Sequence, residues 1–406
     1  MKPLGPIPTG YVGIDGILAI DGRKVTDLAA DGTPLFVYSA ALIRQRVASL
    51  RRVLPDRIAL HYAVKANPYI PIIELFGTLV DGFDIASGGE LDIVRSAGID
   101  PSIVSFAGPG KRDAELQSAI AAGVTINLES EAEADRALQI AERIGTTPRL
   151  AIRVNPDFDL KGSGMKMGGG AKPFGIDAER VPVLARSIIA SGAEWRGFHI
   201  FAGSQALDAE AIVETQRQTF ELAAKLARES GAALPHCNLG GGFGIPYFPG
   251  DTPVDTARIG EGLAAQLAVL PDELAETAFC IELGRHLVGE AGVYLCRVVD
   301  RKVSHGEVYL VTDGGLHHQL AASGNFGTVV RRNYPVAVAT RFGGVVEEEA
   351  SVVGCLCTPL DILANKGGFP RADVDDLIAV FCAGAYGASA SPANFLGQGP
   401  AREILV

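Results

Sequence analysis

The sequence has no long apolar run, no basic patch, and only one tryptophan and three methionines. No stretch reaches the ~20 apolar residues that a transmembrane helix needs, so no membrane partner is expected. The first ten residues lack the apolar region of a secretory signal, which predicts a cytoplasmic protein. The 36 Lys and Arg residues against 47 Asp and Glu give a net charge of −11, which argues against a nucleic-acid partner.

Cysteine is also scarce, with six residues in a chain of 406. So few scattered cysteines do not make a disulfide framework, and Cys355-Leu-Cys357 lacks the spacing of a redox or zinc motif. We therefore expect free thiols and no metal site. The chain is rich in apolar residues, at 48%, and its 49 glycines form clusters without a repeat. This composition predicts a folded protein with one large core or two smaller ones.

From Leu35 to about Gly284, short β-branched runs alternate with segments of helical period, as in parallel sheets built from βα units. A helix of about Ala40 to Leu54 leads into eight apolar runs. The predicted strands are Ile58–Val64, Val80–Ala86, Ile103–Ala107, Val124–Leu128, Leu150–Val154, Trp195–Phe201, His236–Leu239 and Phe279–Leu283. Eight strands with seven intervening helices predict an α/β fold, a (β/α)₈ TIM barrel at residues 33–284.

Beyond Gly289 the pattern changes to short strands separated by Gly, Pro and Asn turns. These strands are predicted at Val293–Val299, Val308–Thr312, Val336–Thr340, Ser351–Val353 and Leu377–Cys382. The leader Gly10–Arg23 is also strand-like. We therefore predict a second, all-β, Greek-key-like domain, discontiguous in sequence, formed by residues 1–32 and 285–406.

Polar residues collect where the predicted barrel strands end, which is where barrel active sites lie. The three glycines Gly240, Gly241 and Gly242 follow the seventh strand, and their N–H groups suit a phosphate, with Ser204 and Arg285 on the flanking strands. A plain tight turn is the alternative interpretation of the glycines.

Lys65 closes the apolar first strand, so its amine is placed to form an imine in the barrel mouth. The alternative is a lysine that merely pairs with Asp84 or Glu90. A phosphate corner opposite such a lysine suggests pyridoxal phosphate (PLP). Glu282 would then keep the pyridine nitrogen protonated.

Several motifs together resemble one family. They are HYAVKANP, FDIASGGEL, RVNPD, GSQ, NLGGGFG, ELGR, the Cys357 to Asp361 segment and GAY, in order from about residue 33 to 406. This set resembles the fold-type III PLP decarboxylases, the diaminopimelate and ornithine decarboxylases.

The resemblance implies a role for each matching residue. Lys65 would form the internal aldimine, Glu282 would bond the pyridine nitrogen, and Cys357 would cross a homodimer interface to reprotonate the substrate carbon. The remaining cofactor-binding residues would be Asp84, Arg153, Phe201, Ser204, Gly240, Gly241, Gly242, Gly284, Arg285 and Tyr386, with Glu90 also lining the site. The active sites would be shared between the two subunits.

Departures from the family pattern bear on the substrate. Phe201 stands where the family has a histidine that stacks on the cofactor, which leaves His199 as a strand histidine with a residual site role. Thr358 replaces the acidic residue that reads a distal amine, and Ala321 replaces a carboxylate-binding arginine. Asn325 and Phe326 stand where aromatic and acidic residues are expected.

These details are similar to the exosortase A-associated subgroup, and a related branch acts on glutamyl groups tethered to an acyl carrier protein. The resemblance therefore implies an amino acid substrate without a free distal amine, small or carrier-tethered. Thr358, His317, His318 and Lys166 are the candidate substrate contacts. The alternatives are a diaminopimelate decarboxylase making lysine, an amino-acid racemase, a non-catalytic PLP-binding regulatory protein, and a phosphate-binding barrel without PLP.

Overall fold

The computed structural model describes residues 1–324 and 331–406, and the chain divides into two compact units. The barrel unit comprises Val47–Gly244 and Val254–Gly284. The β unit comprises Met1–Arg46, Ile245–Pro253 and Arg285–Val406. The sequence-based boundaries at residues 33 and 284 stay a prediction. The structure groups residues 35–38 with the β unit because they form a strand of its sheet.

Eight parallel strands close into a barrel within the barrel unit, all of which is described. They are β1 Ile58–Ala63, β2 Gly82–Ile85, β3 Val104–Phe106, β4 Thr125–Leu128, β5 Arg149–Asn155, β6 Glu194–Ile200, β7 His236–Gly241 and β8 Ala278–Leu283. The order is β5-β6-β7-β8-β1-β2-β3-β4, and pairing of β4 with β5 closes the ring. The predicted barrel, including all eight of its strands, is confirmed.

Seven α-helices lie wholly within the barrel unit, between the strands. They are α1 Ile70–Phe76, α2 Gly88–Ser96, α3 Asp113–Ala122, α4 Glu131–Ile144, α5 Val181–Ala190, α6 Ala209–Ser230 and α7 Thr256–Leu267. Helix α4 shows why these segments are helical. Ser130 caps its first turn by accepting the Glu133 N–H, and Gly145 ends it at φ +66°. Its buried face contains Ala134, Ala137, Ile140 and Ala141. The leading helix, Ala40–Arg51, precedes β1.

The β unit contains a mixed sheet, which confirms the predicted second β domain. Its described strands run Val336–Val338, Leu377–Val380, Gly292–Ser304, Glu307–Thr312, Glu348–Val353 and Ile362–Phe369, and Leu35–Tyr38 pairs with both Gly292–Ser304 and Arg402–Leu405. A three-stranded sheet, Val12–Ile14, Ile17–Ile20 and Arg23–Lys24, comes from the leader. Leu18 and Ile20 of that sheet join Val293 and Phe381 in one buried apolar cluster.

Residues 1–324 and 331–406 contain neither a membrane-spanning helix nor a cluster of metal ligands. No helix there has both the length and the apolar character needed to cross a membrane. No group of three His, Cys, Asp or Glu side chains there could hold a metal ion. All six cysteines are described, and all are free thiols.

Candidate active site

Lys65 and Glu282 meet at the carboxyl end of the barrel strands. Lys65 lies in the short turn Val64–Ala66 after β1, with its Nζ 5.6 Å from the centre of the Phe201 ring. Burial raises the pKa of Glu90, and the positive charge of Lys65 opposes that rise; the same charge helps to lower the pKa of Glu282, so Lys65 lies near both carboxylates. The structure therefore brings together a lysine amine, an aromatic face and a buried carboxylate.

Glu282 is buried at 6% exposure and receives two hydrogen bonds on one oxygen. His199 Nε2 lies 2.9 Å from Oε2, and Asn238 Nδ2 donates to the same atom at 3.1 Å. Burial opposes ionisation, but His199, Lys65 and Arg153 together hold the pKa of Glu282 well below its usual range. The group is a carboxylate at neutral pH, with Oε1 left for a ligand proton.

His199 and Asn238 thus belong to the site. The sequence interpretation favoured a strand histidine for His199 and left it only a residual site role, and it did not single out Asn238. Both side chains lie on the same face of the sheet, since their positions pair in the β6–β7 ladder, and both contact Glu282. His199 Nδ1 is buried with no partner among the described residues. The sequence contains one signal for His199 as a site residue, its spacing from Phe201. His199 precedes Phe201 by two residues, so the two side chains point to the same side of an extended chain.

The three glycines at the end of β7 form a turn that no larger residue would fit. Gly240 and Gly242 adopt φ values of +71° and +79°. A Cβ on Gly241 would collide with the carbonyl oxygen of Glu282. Asn238 Oδ1 accepts the Gly240 N–H at 2.8 Å, so one side chain links this turn to the carboxylate. The backbones of β7 and β8 therefore lie closer together at this turn than a side chain on Gly241 would allow.

The other residues predicted for the barrel site make contacts within the protein. Arg153 Nη1 donates to Glu129 Oε1 at 2.8 Å, and both side chains are buried. Asp84 Oδ2 lies 3.2 Å from His61 Nδ1, and Asp84 Oδ1 is buried with no partner among the described residues. Ser204 lies in the two-residue strand Gly203–Ser204, paired with Met165–Lys166.

Gly284 ends β8 beside the turn that carries Lys65. A Cβ there would lie 2.9 Å from the Cβ of Ala66. Glycine at position 284 therefore allows the turn Val64–Ala66 to lie this close to the end of β8.

In the β unit, aromatic rings hold Arg285. Its guanidinium carbon lies 4.9 Å from the Tyr386 ring and 5.6 Å from the Tyr247 ring, and Nη1 donates to the Tyr247 hydroxyl at 3.2 Å. Burial alone would lower the pKa of Arg285, but the neighbouring phenols outweigh it and raise the pKa above its ordinary value, so Arg285 remains a cation. That Arg285 and Tyr386 bind a phosphate stays a prediction.

The loop around Cys357 is exposed, and a buried aspartate fixes it. Cys357 is exposed and Thr358 half-buried. Asp361 accepts the N–H of Leu316 at 2.7 Å and that of Leu356 at 2.9 Å. This single carboxylate therefore ties the cysteine loop to the segment that carries the two predicted histidines.

The two histidines differ in how they are held. The Tyr294 hydroxyl lies 3.0 Å from His318 Nδ1, and the Gly399 carbonyl oxygen 2.9 Å from Nε2, so both ring nitrogens are engaged within the β unit. His317 is fully buried, with neither ring nitrogen partnered among the described residues. Lys166 is exposed and pairs with Asp159 at 2.6 Å. The predictions for Asn325 and Phe326 lie outside the described residues.

The sequence and fold define a class of protein. Residues 40–289 match the family model described as "Pyridoxal-dependent decarboxylase, pyridoxal binding domain". The chain belongs to this family of PLP-dependent decarboxylases, which confirms the resemblance stated above. It is an enzyme of the carboxy-lyase type, and its cofactor is PLP.

Two curated proteins and one solved structure are similar to the chain over most of its length. The chain is 35% identical over 393 residues to L-glutamyl-[BtrI acyl-carrier protein] decarboxylase of Niallia circulans, covering 95% of this chain and 92% of that one. It is 33% identical to diaminopimelate decarboxylase of Aquifex aeolicus, covering 97% and 91%. The structure of the M. jannaschii diaminopimelate decarboxylase in complex with L-lysine has a TM-score of 0.87 at 26% identity, covering 98% and 93%.

The residues of the barrel unit fit the cofactor. A lysine amine stands near a buried carboxylate that keeps one oxygen for a proton donor, as a protonated pyridine nitrogen requires. Phe201 offers an aromatic face beside that amine. The turn Gly240–Gly242 at the end of β7 carries no side chains, as is typical of turns that bind phosphate through backbone N–H groups.

Proposed function

We propose that this enzyme removes the α-carboxylate of an amino acid that has no free distal amine, with PLP held covalently on Lys65. The decarboxylase part of the proposal is supported by the proximity of the Lys65 amine to the ionised Glu282 carboxylate. The substrate part is supported by residue types: Thr358 and Ala321 have no charge with which to bind a distal ammonium or carboxylate. A relative 35% identical acts on a glutamyl group tethered to a carrier protein.

Each residue of the barrel has a distinct task in this proposal. When bound, PLP supplies an electron sink for the electron pair that CO₂ leaves behind. Glu282, with His199 and Asn238 on Oε2, holds a proton at the pyridine nitrogen. Phe201 would cover the cofactor ring, and the turn Gly240–Gly242 would bind phosphate oxygens through backbone N–H groups other than that of Gly240, which Asn238 accepts. Lys65 would hold the cofactor covalently through its amine when no substrate is bound.

Cys357 supplies the proton that replaces CO₂ on the α-carbon. Its loop is exposed, and Asp361 fixes the backbone around it, which suits a thiol presented to a second copy of the chain. We propose that the enzyme works as a homodimer in which Cys357 of one copy serves the barrel of the other.

Two experiments test the proposal in separable parts. Borohydride reduction of the PLP-loaded protein, followed by peptide mass mapping, should place a pyridoxyl group on Lys65, and Lys65→Ala should carry none. An adduct at another lysine would refute the assignment. Turnover is then compared among glutamyl-carrier protein, free meso-diaminopimelate and free ornithine. CO₂ release from the first alone is expected, and robust turnover of the free diamines would overturn the substrate proposal.

A further inference from the structure

Glu129 follows strand β4, and its carboxylate joins three segments at the carboxyl end of the barrel. The side chain is buried, at 3% exposure. Oε1 accepts hydrogen bonds from the Gly108 N–H at 2.6 Å and from Arg153 Nη1 at 2.8 Å, and Oε2 accepts one from the Gly175 N–H at 2.7 Å. Gly108 follows β3, Arg153 lies on β5, and Gly175 lies between β5 and α5. One carboxylate therefore fixes three neighbouring segments beside the site.

The register of the barrel explains why Glu129 meets Arg153. The β4–β5 ladder pairs the residues directly before these two, which makes Glu129 and Arg153 neighbours. Arg153 in turn pairs with His199 in the β5–β6 ladder, and His199 Nε2 lies 2.9 Å from Glu282 Oε2. Side chains at paired positions lie on the same face of a sheet. Glu129, Arg153, His199 and Glu282 therefore form a row of polar groups at this end of the barrel.

An aromatic ring holds Arg153 from another side. The guanidinium carbon lies 5.0 Å from the centre of the Phe174 ring. Phe174 directly precedes Gly175, whose N–H is bound by Glu129, so the same carboxylate also fixes the segment that carries the ring. Arg153 is therefore held by Glu129 directly and through Phe174.

The position of Arg153 matters because two carboxylates of this row could bind it. Among the described residues, Arg153 hydrogen-bonds to Glu129 and not to Glu282. Burial opposes ionisation of Glu282, yet its pKa is lowered, by His199 first and then by Lys65 and Arg153. A buried guanidinium released from Glu129 needs another anion. Glu282 would supply it, and its Oε1 would then be occupied.

We propose that Glu129 is a positioning residue for the decarboxylase. It holds the Arg153 guanidinium at the end of β5, where the cation favours the ionised form of Glu282 without occupying Oε1. The proposal rests on the proposed role of Glu282, which is to hold a proton at the pyridine nitrogen of the cofactor. Glu129 acts only through Arg153 and touches neither cofactor nor substrate.

Glu133 is a matched control four residues further along the chain. Its side chain is 2% exposed and pairs with Lys111 at 2.7 Å. Lys111 also donates to the Gly108 carbonyl oxygen, so this ion pair and the Glu129 carboxylate fix the same segment after β3. Replacing Glu133 therefore disturbs a buried ion pair of the same kind and leaves the partner of Arg153 in place.

The first measurement is titration of the apoprotein with PLP, followed by the visible absorbance of the bound cofactor. Glu129→Gln keeps the shape of the side chain, but its amide nitrogen accepts no hydrogen bond, so it cannot hold all three donors. PLP should bind roughly 10- to 150-fold more weakly to Glu129→Gln, the range for a lost hydrogen bond to a charged group, and with nearly native affinity to Glu133→Gln. The double variant Glu129→Gln with Arg153→Met should bind PLP more tightly than Glu129→Gln alone, because the competing cation is gone.

The second measurement is the NMR chemical shift of PLP isotopically labelled at its pyridine nitrogen, which differs between the protonated and the unprotonated ring. The native protein and Glu133→Gln should give the shift of a protonated nitrogen, and Glu129→Gln a shift toward the unprotonated value. A merely structural loss would lower the amount of bound PLP and leave the shift of the bound fraction unchanged. Glu129→Asp, whose side chain is one methylene shorter, should change the shift in the same direction, which covers the case that Glu129→Gln does not fold.

Two results would overturn this role of Glu129. One is a native chemical shift of the bound cofactor in both Glu129→Gln and Glu129→Asp. The other is a double variant that binds PLP no more tightly than Glu129→Gln alone. Glu282→Gln separates these failures from failure of the proposed function, since it should lose the signal of the protonated nitrogen. A native signal in Glu282→Gln would refute the role of Glu282, and the role of Glu129 with it.

Discussion

Replacing His199 by leucine tests how Glu282 is kept ionised. The substitution removes the 2.9 Å contact to Oε2, between side chains that are only 3% and 6% exposed. A buried hydrogen bond to a charged group contributes about 1.5–3 kcal/mol. At about 1.4 kcal/mol per factor of ten, PLP should bind roughly 10- to 150-fold more weakly to His199→Leu.

The pH dependence should change in a defined direction. His199, Lys65 and Arg153 lower the pKa of Glu282, so its contribution to cofactor binding is present at higher pH and lost only well below pH 4.5, the ordinary Glu value. Without His199 the burial cost dominates and the pKa rises. The affinity of His199→Leu for PLP should therefore fall as the pH drops through the mildly acid range, where the native protein holds its affinity.

The assay is titration of the apoprotein with PLP, followed by the visible absorbance of the bound cofactor, at several pH values. His199→Gln keeps a donor and should recover most of the affinity. His236→Leu makes the same kind of change on the next strand, away from Glu282, and is the control. Native affinity and a native pH profile in His199→Leu would refute the reasoning about Glu282.

Three further predictions concern stability and the glycine turn. Lys111→Met leaves the Glu133 carboxylate, 2% exposed, without its 2.7 Å partner. The free energy of unfolding, measured with denaturant, should fall by about 3–5 kcal/mol. The double variant Lys111→Met with Glu133→Met should recover most of that loss. Gly241→Ala should abolish PLP binding at near-native helix content, because its Cβ collides with backbone; normal titration would contradict this. Asp361→Ala leaves the N–H groups of Leu316 and Leu356 without their acceptor. The free energy of unfolding should fall by about 2–6 kcal/mol, measured in comparison with Asp361→Asn.

The barrel could be predicted from the sequence because its strands are buried on both faces. Such strands are continuous apolar runs of fixed length, and the helices between them have a different period. Each of the eight predicted runs overlaps an observed strand by most of its length. Periodicity alone therefore gave the strand count, and the strand count gave the architecture.

Three strands of the β unit escaped prediction: Leu35–Tyr38, Ile362–Phe369 and Arg402–Leu405. Ile362–Phe369 contains Asn365, Lys366 and two glycines, and it lacks the alternation of a half-buried strand. It is a strand because it pairs with Glu348–Val353, with Lys366 at φ +50° marking an irregularity. Arg402–Leu405 likewise depends on a partner more than 360 residues earlier in the chain. Tertiary pairing, which local sequence does not encode, decides both.

Site residues that follow strand ends could be placed from the sequence, whereas the contacts made by residues inside the strands could not. Lys65 and the glycine turn come directly after apolar runs, so their position could be read from the sequence. His199 and Asn238 lie within strands, and whether an inward side chain meets Glu282 depends on the register of three neighbouring strands. That register is set by the closure of the whole barrel.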